Sequence, residues 1–234
     1  MENEFSREEL LIGTEAIEKL KNSKVAIFGI GGVGSYVLEA LARAGVQNFV
    51  LVDNDKISIT NINRQIIATH KTLGKDKVEV AKDRVLDINP EAKIEIYKEF
   101  FTIESEAKYL NSSVSYIADC IDTVSSKIEL IERANKLNIP IISSMGTGNK
   151  LDATKFEITD IYKTSVCPLA KVIRKELRKR NIKNLEVIYS KEEPIKILKN
   201  EENIKGKQVP GSISYVPSVA GLMLAERIIK KLID

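Results

Sequence analysis

Three glycines spaced as Gly29-x-Gly31-x-x-Gly34 could bind the phosphates of a nucleotide. They follow Lys24-Val-Ala-Ile-Phe-Gly29, a run typical of a buried strand, and they precede a segment typical of a helix. Glycines at such a turn let a phosphate approach the backbone, and the helix N-terminus offers it free N–H groups. Asp53, which ends the next predicted strand, can accept hydrogen bonds from ribose hydroxyls. The pattern predicts a nucleotide site, with Gly32 inside the same turn.

A second cluster of charged and amide side chains lies directly after Asp53. Its members are Asp55, Asn61, Asn63, Arg64 and Gln65. Hydride transfer does not require a cation and several amides close to the phosphates of the cofactor. Phosphoryl-transfer-type chemistry requires such groups, because charge develops at the phosphates in its transition state. An NAD-dependent dehydrogenase, which would share the glycine turn and Asp53, is therefore the weaker interpretation.

Predicted strands and helices alternate around these residues. Strands are expected over 24–29, 48–53, 93–97, 116–120 and 140–144, and helices over 10–20, 34–44, 75–88, 104–110 and 127–137. Alternation of this kind predicts an α/β fold, Rossmann-like and doubly wound, with a mainly parallel sheet covered by helices on both faces. The nucleotide-binding domain would then occupy residues 1–150.

In the last third of the chain, strands and helices no longer alternate regularly. Strands are expected over 155–161 and 185–190, helices over 168–180 and 218–232, and an exposed or mobile lysine-rich loop over 191–208. These elements predict a smaller C-terminal extension, residues 151–234, that packs on the same core.

Composition narrows the class of protein. The 234 residues carry 36 basic and 33 acidic side chains, so the molecule is not a polycation and any polyanion site must be local. Two cysteines cannot form a disulfide framework, and there is no Cys-x-x-Cys pair for a structural zinc site. The charged N-terminus lacks the apolar core of a secretory signal, so we expect a cytoplasmic protein that does not enter the membrane.

Four motifs in order resemble the ThiF/MoeB/HesA adenylating superfamily, relatives of the ubiquitin-activating enzymes. They are GIGGVGS, VDNDKISITNINRQ, LGKDKVEVAKDRVLDINP and ADCIDTVSSK. The resemblance implies an enzyme that uses ATP and Mg²⁺ to adenylate a carboxylate, and it implies a homodimer. In this superfamily an N-terminal arginine reaches into the partner subunit's ATP site. Arg7, in the segment Phe5-Ser6-Arg7, is therefore a candidate catalytic residue that acts in trans.

The resemblance also assigns roles to individual residues of the motifs. Those implied to hold ATP are Gly31, Gly34, Asp53, Asn61, Arg64 and Lys77, with Asp55 as a further candidate. Arg64 and Lys77 are cations that can neutralise a leaving pyrophosphate. Asp122 is the implied magnesium ligand, which agrees with a hard oxygen ligand placed after a strand at the sheet's carboxyl end.

The C-terminal third is similar to one group within that superfamily. The segments IPIISSMGTGNKLDATKFEITDIYKTSVCPLAKVIRKELRKR and YVPSVAGLMLAERII look like the TcdA (CsdL) group, the tRNA threonylcarbamoyladenosine dehydratases. That activity would be an ATP-dependent cyclisation of the threonine carboxylate of threonylcarbamoyladenosine in tRNA, with release of AMP and pyrophosphate. Such a reaction needs no protein acyl carrier, which suits the lack of evident cysteine chemistry.

A basic helical face is the local polyanion site that a tRNA substrate would need. Lys171, Arg174, Lys175 and Arg178 share one face of the predicted helix over 168–180. These four residues are candidate tRNA phosphate contacts. The alternative is a solvated surface helix, because lysine-rich chains scatter such runs.

Other functions compete with the dehydratase. One is a MoeB-like activator of the C-terminus of a ubiquitin-like or sulfur-carrier protein, although the zinc ligands common in such proteins are absent. Another is a nucleotide-sensing module without turnover. A sulfur-transfer protein is a candidate further partner.

Three features of the chain have no assigned role. Cys120 is expected in the core, whereas the sequence leaves open whether Cys167, before Pro168, is exposed. His70 is displaced from the position after the Asn-Arg-Gln run where the family commonly has a histidine, and it is expected on the surface. The loop over 145–148 has no predicted function.

Overall fold

A sheet of seven strands forms the centre of the computed structural model, which describes residues 3–196, 203–204, 207–208 and 210–234. The strands are β1 (Lys24–Phe28), β2 (Asn48–Val52), β3 (Lys93–Tyr97), β4 (Tyr116–Asp119), β5 (Ile141–Ser144), β6 (Phe156–Asp160) and β7 (Glu186–Ser190). Their order across the sheet is β3-β2-β1-β4-β5-β7-β6, and only the β6–β7 pair is antiparallel. The predicted Rossmann-like, mainly parallel sheet is confirmed.

Helices cover both faces of this sheet. They are α1 (Ser6–Ile12), α2 (Thr14–Asn22), α3 (Gly34–Arg43), α4 (Lys77–Ile88), α5 (Val124–Leu137), α6 (Pro168–Lys179) and α7 (Tyr215–Ile233). Side chains of β1 alternate between the faces: Val25 and Ile27 pack with α3, α4 and α7, whereas Ala26 and Phe28 pack with α5. The strand is apolar on both sides because both faces are buried.

The C-terminal elements extend the same sheet and core. Strands β7 and β6 continue the sheet beyond β5, and α7 contributes Val216, Leu224 and Ile228 to the core cluster that contains α3. The division of the chain at residue 150 stays a prediction. No helix in the described part of the chain has the length and apolar character needed to cross a membrane.

The prediction of a helix over 104–110 is wrong. This segment consists of turns, and Arg133 of α5 donates from Nη1 to the Ser105 carbonyl at 2.6 Å and from Nη2 to the Ile103 carbonyl at 2.8 Å. Ala107 also has a positive φ of 47°. Carbonyls that would accept helical N–H groups are therefore bonded to a side chain of another element.

Two further segments differ in structure from the sequence prediction. The single helix expected over 10–20 is two helices, α1 and α2, because Gly13 between them adopts φ 82° and ψ 163°. In the loop expected over 191–208, residues 197–202 and 205–206 lie outside the described residues. Within it, β8 (Asn203–Ile204) and β9 (Lys207–Gln208) form an antiparallel pair.

Candidate functional site

A cavity of about 570 Å³ opens at the carboxyl ends of β1, β2, β4 and β5. The predicted site residues that line it are Gly29, Gly31, Gly32, Asp53, Asp55, Asn61, Arg64, Gln65, Lys77 and Asp122. Gly34, Asn63 and Arg7 are not among the lining residues. Carboxyl strand ends are where open parallel sheets bind ligands, so the fold gathers residues that are far apart in the sequence.

The glycine turn leaves its backbone open to the cavity. Gly29 has φ +86°, and a Cβ there would lie 2.7 Å from the Cys120 carbonyl oxygen. A Cβ on Gly34 would lie 1.9 Å from the Gly29 carbonyl oxygen, so Gly34 is required by packing. Gly31 has no atom nearer than Gln65 Nε2, at 3.9 Å from such a Cβ. The uncapped N-terminus of α3 beside it favours an anion.

Asp53 is held rigidly at the edge of this turn. Its Oδ2 accepts the Ile30 N–H at 2.6 Å, and its Oδ1 accepts the Asp55 N–H at 2.8 Å. Burial raises the pKa of the Asp53 carboxyl, and the nearby charge of Lys77 opposes that rise. The carboxylate is thus fixed in orientation at the end of β2, where a ribose would be expected.

Lys77 is a buried cation at the start of α4. Its side chain is only 6% exposed, and Nζ lies 2.7 Å from Asp55 Oδ2 and 4.0 Å from Asp53 Oδ2. The Asp55 side chain is 59% exposed, so it can move away at little cost. A phosphate entering the cavity could replace Asp55 as the partner of Lys77.

Arg64 and Asn61 belong to the short turn that follows β2. Arg64 Nη1 donates to the Thr60 carbonyl at 2.7 Å and to Asn63 Oδ1 at 2.9 Å. Among the described residues the other guanidinium nitrogens have no partner and are available to a ligand. Asn61 Oδ1 accepts the Ser58 N–H at 3.0 Å and so caps this turn. Asn61 therefore supports the position of Arg64 in addition to lining the cavity.

Two buried polar atoms of cavity-lining residues have no partner within the described part of the chain. They are Gln65 Oε1 and Ser126 Oγ. Leaving a buried oxygen without a hydrogen bond costs free energy, so such atoms mark places where a ligand or water completes the structure. This observation fits a polar ligand such as a nucleotide.

Asp122 lies between β4 and α5 with its side chain exposed to the cavity. Its contact with another side chain is long, 3.4 Å from Thr123 Oγ1 to Asp122 Oδ1. Among the described residues no three His, Cys, Asp or Glu side chains cluster as a metal cage. One free carboxylate beside a phosphate site is the donor set that Mg²⁺ uses when the nucleotide supplies further oxygens.

The sequence analysis missed a buried ion pair beneath the cavity. Lys127 Nζ and Asp119 Oδ2 are 2.8 Å apart, and both side chains are fully buried. Asp119 Oδ2 also accepts from Ser143 Oγ at 2.6 Å, and Lys127 donates to the Ser144 carbonyl at 3.0 Å. The pair ties α5 to the ends of β4 and β5. The sequence did hold one sign of this pair: Asp119 ends an otherwise apolar strand, and a buried carboxylate needs a cation as its partner.

Two loops and an aromatic side chain of the cavity wall were also missed. They are residues 146–148 after β5, residues 210–212 before α7, and Phe100 after β3. Glycines, proline and serine in loops give no periodic signal, so their position was accessible only from the fold.

The predicted basic face exists on α6. Lys171 and Lys175 are exposed, whereas Arg174 Nη1 donates to the Thr164 carbonyl at 3.0 Å. The Arg178 guanidinium lies 5.5 Å from the centre of the Tyr162 ring. Leu169, in the first turn of α6, lines the cavity, so this helix begins at the site.

The cysteines and the histidine offer no activated group. Burial raises the pKa of the Cys120 thiol, and the charge of Asp119 raises it further, so the nucleophilic thiolate is disfavoured. Cys167 is 3% exposed, which settles the question that the sequence left open: its side chain is buried. His70 is exposed, as predicted.

Comparison with known proteins identifies the family. The model of the ThiF family matches residues 5–234. The chain belongs to the ThiF family. One family relative, the tRNA threonylcarbamoyladenosine dehydratase of Bacillus subtilis, is 46% identical over 243 residues, which cover 100% of this chain and 96% of the relative. The Escherichia coli enzyme of the same name is 38% identical over 168 residues, 72% of this chain and 63% of that enzyme.

Solved structures share this fold. The E. coli tRNA N6-threonylcarbamoyladenosine dehydratase in complex with AMP has a TM-score of 0.90 at 30% identity, covering 98% of this chain and 93% of that chain. The same enzyme in complex with ATP gives a TM-score of 0.88. E. coli MccB, at 22% identity and a TM-score of 0.70, shares the fold.

Proposed function

We propose that this ThiF-family chain is an ATP-dependent tRNA threonylcarbamoyladenosine dehydratase. One observation carries the proposal: Arg64, Lys77 and Asp122 converge on a single cavity with the glycine turn. That set suits a triphosphate whose pyrophosphate must leave, and the neighbouring Cys120 thiol is not activated to accept an acyl group. The full-length similarity to the B. subtilis dehydratase supports the same reaction.

The first step would be adenylation of the threonine carboxylate. A carboxylate oxygen attacks the α-phosphorus of ATP, the bond to the β-phosphate oxygen breaks, and pyrophosphate leaves with its electron pair. Lys77 and Arg64 lower the barrier because they neutralise the charge that develops on the leaving group. Lys77 is well suited to this role, since its burial strengthens its interaction with an incoming phosphate.

The second step would be ring closure. The carbamoyl nitrogen or oxygen of the modified adenosine attacks the activated carbonyl carbon, and AMP leaves with the former carboxylate oxygen. One proton is released, and the nucleoside has lost one water in total. The attacking group belongs to the substrate, so the protein needs to hold two ends of one molecule together and to exclude water.

Magnesium is part of this proposal. Asp122 would hold Mg²⁺ together with phosphate oxygens, and the ion when bound neutralises charge on the polyphosphate. The exposed carboxylate of Asp122 and its weak contact with Thr123 support this assignment, since the carboxylate is free to coordinate.

The basic face of α6 would bind the tRNA backbone. Lys171 and Lys175 project into solvent from a helix whose first turn borders the cavity through Leu169. Phosphate contacts of this kind position a nucleic acid without reading its sequence. The modified nucleoside would then enter the cavity from the α6 side.

A cytoplasmic homodimer completes the proposal. Arg7 is exposed and does not line the cavity of its own chain, which supports a role in a partner subunit's site. The proposed tRNA substrate supports a cytoplasmic location. A sulfur-transfer protein stays a predicted further partner.

Exchange of labelled pyrophosphate into ATP tests the choice between this function and carrier-protein activation. We expect exchange with tRNA that carries threonylcarbamoyladenosine, and none with the same tRNA lacking the modification. Exchange that requires a ubiquitin-like or sulfur-carrier protein with a free C-terminus would instead support the MoeB-like alternative.

A further inference from the structure

Residues 210–212 form part of the wall of the cavity. They line the cavity together with residues 146–148, and Pro217, a little further along, packs against Gly32 in the glycine turn. A Cβ on Gly148 would lie 2.9 Å from Pro210 Cβ, so the two loops are in close contact. We call residues 210–212 the wall segment.

Asn149 holds one side of the wall segment by two hydrogen bonds. Its backbone N–H donates to the Gly211 carbonyl at 2.8 Å, and its Oδ1 accepts the Gly211 N–H at 2.7 Å. Asn149 has φ 58°, a left-handed conformation that asparagine tolerates better than most residues. Of the Asn149 side chain, only the oxygen Oδ1 takes part in these two hydrogen bonds. The left-handed backbone conformation of Asn149 places that oxygen beside the Gly211 N–H.

Asn63 holds the other side of the wall segment. Its Nδ2 donates to the Ser212 carbonyl at 2.9 Å, while its Oδ1 accepts from Arg64 Nη1 at 2.9 Å. One amide thus joins the wall segment to the arginine of the proposed triphosphate site. Asn63 itself does not line the cavity, which separates its position from that of a direct nucleotide contact.

The Asn149 side of the wall segment lies in the part of the cavity away from the ribose. Asp53 follows β2 and the 146–148 loop follows β5, and the order β2-β1-β4-β5 puts three strand spacings between them, about 14 Å. Leu169 of α6 lines the cavity as well. The nucleotide and the acceptor substrate would therefore meet between these two ends, with the wall segment on the acceptor side.

We infer that Asn63 and Asn149 are positioning residues that fix the wall segment against the acceptor nucleoside, and that Asn63 couples this wall to Arg64. The inference rests on the proposed function for the identity of the acceptor. It gives the two asparagines different chemical requirements. Asn149 needs a side-chain acceptor, whereas Asn63 needs both a donor and an acceptor.

Three variants test this assignment. Asn149→Gly keeps the left-handed backbone and removes the acceptor, whereas Asn149→Asp keeps an acceptor oxygen at the same place. Asn63→Ala removes the links to Ser212 and Arg64 together. Each full-length variant is compared with the wild-type chain in hydrogen exchange over 210–215, ATP binding and tRNA turnover.

We expect faster exchange of the Gly211 amide in Asn149→Gly and wild-type exchange in Asn149→Asp. Asn149→Gly should raise KM for the modified tRNA or lower kcat by about tenfold, with Kd for ATP within about twofold of wild type. Asn149→Asp should rescue turnover. Asn63→Ala should impair both ATP binding and tRNA turnover, because it also releases Arg64.

Equal exchange in Asn149→Gly and wild type would overturn the inference, and so would equal losses of ATP and tRNA affinity in Asn149→Gly. Failure of the Asp rescue would also contradict it. Exchange and ATP binding need no turnover. If the wild-type chain does not dehydrate tRNA, the proposed function fails. The two measurements still decide whether Asn149 holds the wall segment in place without contributing to ATP binding.

Discussion

Asp122 combines exposure to the cavity with few structural contacts, which makes it a clean test of a catalytic charge. Asp122→Asn keeps the shape of the side chain and removes the charge. We expect turnover to fall by about 100-fold or more, as for loss of one electrostatic group in other active sites. The thermal unfolding midpoint should not change, because the 3.4 Å contact with Thr123 is weak. Both quantities are measured on the same preparation.

Asp87→Asn is the matched control, since Asp87 is exposed on α4 and does not line the cavity. It should leave turnover at the wild-type level. A similar loss in both variants would show that the charge of Asp122 has no special role.

The cysteines provide a second prediction for single residues. Burial raises the pKa of the Cys120 thiol, and Cys167 is buried, so neither is poised as a nucleophile. We expect native protein to react slowly with iodoacetamide at pH 8 and quickly after unfolding. The double variant Cys120→Ala and Cys167→Ala should retain kcat. Loss of kcat in a correctly folded double variant would indicate a covalent acyl carrier and contradict the proposed reaction.

Individual site residues were predictable where type and spacing coincided with a strand end. Asp53 follows β2, Lys77 is the first residue of α4 and Asp122 lies between β4 and α5, and all three line the cavity. The contacts of Lys127 with Asp119 were not predictable from spacing, because a buried ion pair depends on which strands are neighbours in the sheet. Asn63 lies in a motif that the sequence analysis singled out, but its hydrogen bonds to Ser212 and Arg64 became visible only in the folded chain.

At the scale of elements, the basic face of α6 makes a prediction about salt. Neutralising the exposed Lys171 and Lys175 to Gln should raise KM for tRNA and leave Kd for ATP unchanged. The slope of log affinity against log salt concentration should fall by about 1 to 2, since each lysine would displace counterions from a phosphate. Binding is measured over a series of salt concentrations.

The matched control neutralises Lys230 and Lys231 in the last turn of α7, the same number of charges on another helix. Lys230 lies 2.5 Å from Glu226 and is already paired within the chain. This control should bind tRNA nearly as the wild type does. Equal weakening in the two double variants would mean that net charge, and not the face of α6, governs binding.

Helices and strands were predictable from the periodicity of apolar residues, except where a side chain of another element binds the backbone of the segment. Strand β1 and helix α3 carry strong apolar patterns and lie where expected. The segment over 104–110 has helix-forming residues, yet Arg133 binds its carbonyls from α5, so tertiary contacts override local preference. Gly13 gave a local signal for a break between α1 and α2, and its positive φ accounts for that break.

At the scale of the whole molecule, mixing inactive variants tests the homodimer. If Arg7 acts in the partner's site, Arg7→Ala and Asp122→Asn should each be inactive alone. A mixed dimer would contain one site with both wild-type residues. Random exchange of subunits should then restore roughly a quarter of wild-type turnover. Absence of restoration in a sample shown to contain mixed dimers would place Arg7 in its own site or outside catalysis.

The overall architecture was accessible from the order of elements, because alternating strands and helices leave few ways to build a parallel sheet. The antiparallel β6 at the edge, and the return of residues 210–217 across the glycine turn, required the folded chain. These late segments complete the cavity wall, so the part of the cavity that residues 29–122 form was predictable and the part that residues 210–217 form was not.

The most direct test is incubation of the purified protein with Mg-ATP and tRNA that carries threonylcarbamoyladenosine, followed by mass spectrometry of the digested nucleosides. We predict that the modified adenosine loses the mass of one water, that the loss requires ATP, and that AMP accumulates with it. An unchanged nucleoside under conditions in which the protein binds ATP would contradict the dehydratase and direct attention to carrier-protein substrates.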